Sequence, residues 1–156
     1  MSSLKRKLEG EVEIRATAAD AHHEIVSSKP HHVCHAASHF IQAVDLHEGD
    51  HGNQGCKSLW KYTLGGKPFE AKLVVDEIDE QKKLIKYRAI EGHILEEYKT
   101  ITGTCQVIPK DAENCIVRWT FEYEKQHPGI PEPTALLDSW LSAAKDLDDH
   151  HHGIKK

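Results

Sequence analysis

No stretch of this 156-residue sequence approaches the roughly 18 consecutive apolar residues that a bilayer-spanning helix needs. No integral membrane contact is therefore expected. Residues 1–10 carry charges but no apolar run of the kind a secretory signal requires, so the expected location is cytoplasmic. The four cysteines, Cys34, Cys56, Cys105 and Cys115, form no close pair. A chain of this size needs no disulfide scaffold, and free thiols are expected. The thirteen histidines come with no His-Glu-x-x-His pattern and no paired-cysteine spacing. His35 and His39 could share a helix face, but polar surface and helix-end chemistry account for the cluster without a metal. No cofactor is expected either. Basic charge is in short supply, the net charge being -5, which gives no support to a nucleic-acid partner. No repeat, linker or low-complexity segment divides the chain, and residues 1–156 are expected to form one domain.

Gly49, Gly52 and Gly55 make the one glycine-rich loop. A phosphate-binding loop leads into a helix N-terminus and ends in Gly-Lys-Ser/Thr. This loop lies between two strand-like segments and lacks that ending, which argues against a nucleotide.

What is present is periodicity. Pro131-Glu132-Pro133 opens a helix predicted over residues 133–152, with proline at a favourable first position. Leu137, Trp140, Leu141, Ala144, Leu147 and His151 recur at steps of three and four. That is roughly 30 Å of helix with one apolar side, which must cover something. Almost everything before it alternates with period two. Strands are predicted over residues 7–16, 41–45 (extending towards Gly49), 56–63, 69–78, 84–90, 95–107 and 115–123. Turns fall at 64–67, 79–82, 91–92 and 109–114. On the second strand, Phe40, Gln42, Val44 and Leu46 are expected to share a face. Two short helices fit between the first two strands, over 21–27 behind a cap at Asp20 and over 31–39, separated by Pro30. Short turns imply antiparallel pairing, and the terminal helix is the only large apolar surface able to cover the sheet.

The covered face would carry Ser58, Trp60, Tyr62, Ile85, Tyr87, Trp119, Phe121 and Tyr123, the mostly apolar lining a concave pocket uses. Small residues, Gly10, Ala71, Ala89, Gly103 and Ala144, are expected to point the same way. The stripes alone fit a packed core as well as a cavity.

Several segments resemble the plant major latex protein family. They are Pro30-His31-His32-Val33, Gln42-Ala43-Val44-Asp45-Leu46-His47-Glu48-Gly49-Asp50, Trp60-Lys61-Tyr62-Thr63 and Asp76-Glu77-Ile78-Asp79-Glu80, followed by Ile90-Glu91-Gly92-His93, Glu97-Tyr98-Lys99, Trp119-Thr120-Phe121-Glu122-Tyr123-Glu124-Lys125 and Pro131-Glu132-Pro133-Thr134. Their order and spacing extend over about residues 8–152. The resemblance implies the START-like helix-grip fold shared with the birch-pollen allergen: an α+β fold with a seven-stranded antiparallel sheet around a long C-terminal helix, two short helices and a hydrophobic cavity. It favours the cavity over the packed core and adds Leu73, Ile101, Leu137, Trp140, Leu141 and Ala144 to the expected lining. The function it implies is binding and carriage of a small hydrophobic metabolite or hormone, linked to defence or stress, by a monomer or weak dimer. Two alternatives are a cofactor-free cyclase or isomerase using the same cavity and a defence-related interaction protein. For an enzyme, the candidates near the pocket mouth are Lys99, Tyr62, Tyr87, His93 and Asp138.

Overall fold

Alternation of inward and outward side chains dictates most of the architecture. The computed structural model describes residues 4–28, 33–50 and 52–154. Strand β1 (Lys5–Arg15) leads through a 3-10 turn (Ala16–Ala18) into α1 (Ala19–Ser28) and α2 (Val33–Ala36). Then come β2 (Ile41–Glu48), β3 (Lys57–Leu64), β4 (Lys67–Asp79), β5 (Leu84–Gly92), the single-turn α3 (Ile94–Glu97), β6 (Tyr98–Pro109), β7 (Asn114–Lys125) and α4 (Thr134–Ile154). The seven strands form one sheet in the order β1-β7-β6-β5-β4-β3-β2. Every neighbouring pair is antiparallel. β1 and β2 are the two edges, and α1 and α2 carry the chain from one to the other.

The β3–β4 hairpin turns at Gly65 and Gly66, with φ of 57° and 78°. Two successive positive φ values give the primed turn whose twist matches the flanking strands. Inward residues on β5, β6 and β7 are buried at every second position: Ile85, Tyr87 and Ala89; Ile101, Cys105 and Val107; Val117, Trp119, Phe121 and Tyr123. All four cysteines are free, three of them buried. Burial pushes the Cys105 thiol well up, and those of Cys34, Cys56 and Cys115 up as well.

The sheet wraps around α4, which packs chiefly on β1 and β7. Leu137, Trp140, Ala143, Ala144 and Leu147 are buried. Gly10 makes close approach possible: a Cβ there would meet Leu141 Cδ1 at 2.7 Å and Leu137 Cδ2 at 3.2 Å. At the other end of α4, Asp148 is buried, with Arg15 Nη1 3.4 Å from its carboxylate. Among the described residues no helix is long and apolar enough to cross a membrane.

The structure departs from the pattern expected of the sequence in five places. Ala19 already has helical geometry, so Asp20 lies inside the first turn of α1 rather than capping it; its carboxylate pairs with Lys83 Nζ at 3.0 Å. The second short helix is one turn, Val33–Ala36. Pro30, His31, His32 and His51 lie outside the described residues, as do the side chains of His35, His150, His151 and His152. In β2 a register shift between Ile41 and Ala43 breaks the alternation. Phe40 and Ile41 are consecutively buried, Gln42 turns outward to bond the Ser38 carbonyl and the Thr63 hydroxyl, and Leu46 is 40% exposed. The segment expected as one strand from residue 95 begins as α3, because the positive φ of Gly92 (125°) redirects the chain and Glu96 N–H bonds the His93 carbonyl. Finally, α4 begins at Thr134; Pro133 precedes it and accepts the first bond, from Leu137 N–H at 3.0 Å.

Candidate ligand-binding site

Between the sheet and α4 lies an apolar cavity of about 70 Å³. Its lining is drawn from eight elements and the residue before β2: Phe40; Ile41 of β2; Trp60 and Tyr62 of β3; Ala71 and Leu73 of β4; Tyr87 and Ala89 of β5; Ile94 of α3; Ile101 and Gly103 of β6; Trp119 and Phe121 of β7; Leu136 and Trp140 of α4. Cross-strand pairing brings these together, for Trp60 lies opposite Ala71 and Gly103 opposite Phe121. Glycine and alanine at those positions leave room that the aromatic rings take up.

Those rings form one connected cluster. Trp140 stacks on Trp119, centroids 4.6 Å apart, and meets Phe40 edge-on at 5.1 Å and Trp60 at 5.7 Å. Trp60 in turn meets Tyr87 edge-on at 5.7 Å. Such geometries add to burial energy. The cluster explains why the space is small: three indoles from β3, β7 and α4 occupy it. Burial raises the Tyr62 phenol to about 12 and the Tyr87 phenol further, so both stay neutral and able to donate at physiological pH.

A second cleft, of about 160 Å³, adjoins the first and shares Tyr62, Ile94 and Leu136 with it. Its rim includes Phe69, His93, Tyr98, Pro131 and Glu132. Here the segment before α4 is tied down. The Tyr98 hydroxyl donates to the Pro131 carbonyl at 2.6 Å. Tyr123 donates to the Glu132 carboxylate, whose other oxygen is 2.7 Å from Lys125 Nζ. Lys125 is buried, so Glu132 is the counter-ion that makes its position tolerable.

Of the fourteen residues expected to line a cavity, Trp60, Tyr62, Leu73, Tyr87, Ile101, Trp119, Phe121 and Trp140 do so. Ser58, Ile85, Tyr123, Leu137, Leu141 and Ala144 do not. Leu137 and Leu141 are used against Gly10 of β1, Tyr123 is held by Glu132, and Ser58, Ile85 and Ala144 are buried away from the void. Phe40, Ile41, Ile94 and Leu136 were not expected there. Ile41 is hidden by the β2 irregularity and Ile94 by the unanticipated α3, while the Leu136-Leu137 pair was the available signal for Leu136. Of the catalytic candidates, Tyr62 and Tyr87 line the cavity and Tyr62 and His93 the cleft, while Lys99 and Asp138 lie in neither lining. Lys99 is exposed on the outer side with Glu124 3.7 Å away, Asp138 is exposed, and His93 stacks on Phe69 at the cleft. Among the described residues no three His, Cys, Asp or Glu side chains come together as a metal site.

Residues 3–152 match the Pathogenesis-related protein Bet v 1 family. The chain belongs to that family. Its relatives include MLP-like protein 43 of Arabidopsis thaliana, 40% identical over 96% of this chain and 94% of that protein. MLP-like protein 34 of the same plant is 42% identical over 92% of this chain, which spans only 45% of that longer protein. Among solved structures, the ginseng major latex-like protein 151 from Panax ginseng superposes with a TM-score of 0.90 at 36% identity, covering 95% of this chain and 98% of its own. Truncated norcoclaurine synthase from Thalictrum flavum shares the fold of this Bet v 1 member, with a TM-score of 0.75 at 22% identity over 95% and 94% of the two chains.

Proposed function

We infer that the chain is a carrier, which takes up a small hydrophobic molecule between the sheet and α4 and releases it unchanged. It acts in the cytoplasm, as one domain, in the defence or specialised metabolism of a plant. The observation that carries this reading is the apolar cavity together with its neighbouring cleft, which give a lining and a route to it. Small-molecule sites run to about 300–1,000 Å³, and the cavity is about 70 Å³, so uptake requires the lining to move. The shared residues Tyr62, Ile94 and Leu136 partition cavity from cleft, and displacing them joins the two. Carriage is favoured over turnover because, among the described residues, no lysine, carboxylate or imidazole lines the cavity.

Titration with the neutral fluorophore 1-aminoanthracene tests the reading. Saturable one-to-one uptake with a blue-shifted emission is expected, together with quenching of the cavity tryptophans. Absence of uptake at any concentration below the solubility limit overturns it.

A further inference from the structure

The polar content of the cavity is lopsided. Trp60 and Trp119 line it and are 3% and 2% exposed. The indole N–H of each is buried and has no hydrogen-bond partner among the described residues. An indole N–H can only donate, and buried ones ordinarily find an acceptor. The two indoles come from β3 and β7 and both touch Trp140, at 5.7 and 4.6 Å between ring centroids. The other lining side chains with a polar atom, among the described residues, are the phenols Tyr62 and Tyr87 and the third indole, Trp140, whose N–H is not among the buried unpartnered atoms. Among the described residues no charged side chain lines the cavity to balance a charged ligand, and burying an unpaired charge is prohibitive.

We propose that the site selects a neutral, flat hydrophobic molecule bearing a carbonyl oxygen, which accepts a hydrogen bond from the indole N–H of Trp60, of Trp119 or of both. This rests on the carrier reading and names the ligand chemistry of the same cavity. A saturated or purely hydrocarbon molecule of equal shape leaves both donors unmet, so the site discriminates by an acceptor rather than by shape alone.

The test uses two probes of nearly equal shape, 2-acetylnaphthalene and 2-isopropenylnaphthalene, in which C=CH₂ replaces C=O. Their affinities are measured on the native chain and on two variants carrying β-(3-benzothienyl)alanine, which keeps the bicyclic outline but replaces N–H with sulfur, at position 60 or 119. The ketone-to-alkene affinity ratio is expected to fall about fivefold to tenfold in at least one variant, the worth of one hydrogen bond. The indole N–H resonance of that tryptophan should move downfield with the ketone and not with the alkene. A ratio unchanged in both variants, with no ketone-specific resonance shift, overturns the proposal while binding of the alkene leaves the carrier standing. If neither probe binds the native chain, the carrier reading fails and the proposal with it.

Discussion

Trp140→Ala removes the ring on which the aromatic cluster converges. The side chain is 8% exposed and touches Trp119, Phe40 and Trp60. Its loss opens on the order of 100 Å³, and residual cavity costs about 24 cal/mol per Å³, so the void alone amounts to about 2.4 kcal/mol. With the lost transfer energy, the expected destabilisation is about 3–5 kcal/mol. For a domain of this length that lowers Tm by roughly 6–20 °C. The same change enlarges the existing cavity, about 70 Å³, to roughly 170 Å³, and removes a ring that a ligand must otherwise displace. Affinity for 1-aminoanthracene should rise about tenfold, equivalent to about 1.4 kcal/mol, and saturating probe should restore part of the lost Tm by linkage. Urea melts with and without the probe, on the native chain, Trp140→Ala and Trp140→Phe, measure both effects, and the phenylalanine variant should fall between the others. A loss under about 1 kcal/mol, or an alanine variant that binds the probe no better than the native chain, would refute the view that Trp140 fills the interior at the ligand's expense.

His22 is 3% exposed and its pKa is lowered to about 4, by burial first and by the neighbouring His23 second. The unfolded chain therefore binds this proton before the folded one does. Stability is full above about pH 6.5 and is lost as pH falls towards 4, by about 3 kcal/mol in all; urea midpoints from pH 7.5 to 4.5 should slope less in His22→Phe, and an equal slope would contradict the assignment. Glu132→Gln strips the counter-ion from buried Lys125 and should cost about 1–3 kcal/mol. It should also speed hydrogen exchange over residues 130–136 and raise the probe's association rate, whereas Glu96→Gln, a charge loss at an exposed position, should change neither. Gly92→Ala places a Cβ 2.5 Å from the Glu70 carbonyl oxygen at a φ of 125°. The expected loss is about 3 kcal/mol or more, read from the denaturant midpoint, and a loss below about 1 kcal/mol would show that the turn relaxes.

Which parts of this architecture could be read from residues alone depends on how regular each element is. β5 and β7 bury every second residue without interruption, and each pairs with β6 without a shift over its inward apolar residues, so their buried faces were legible. The stripe of α4 was legible for the same reason. β2 was not, because Phe40 just before the strand and Ile41 at its start are both buried, and a register shift between Ile41 and Ala43 then breaks the alternation. α3 was not, because four residues are too few for a period to declare itself. The site was legible as a set of inward positions but not as a shape. Leu137 and Trp140 lie on one helical stripe, yet the first is used against Gly10 and the second against two other indoles. That Trp60, Trp119 and Trp140 converge and fill most of the space is a tertiary fact, set by strand order and by where α4 crosses the sheet. No spacing in the sequence encodes it.

The central claim is that this chain carries a hydrophobic molecule inside the fold. Native mass spectrometry of the protein purified gently from its source tissue, followed by extraction of whatever travels with it, tests that claim most directly. The account predicts one recurring neutral hydrophobic metabolite at close to one per chain, released unchanged on denaturation. A chain that arrives empty and takes up neither 1-aminoanthracene nor 2-acetylnaphthalene would contradict it and leave the aromatic cluster as a packed core.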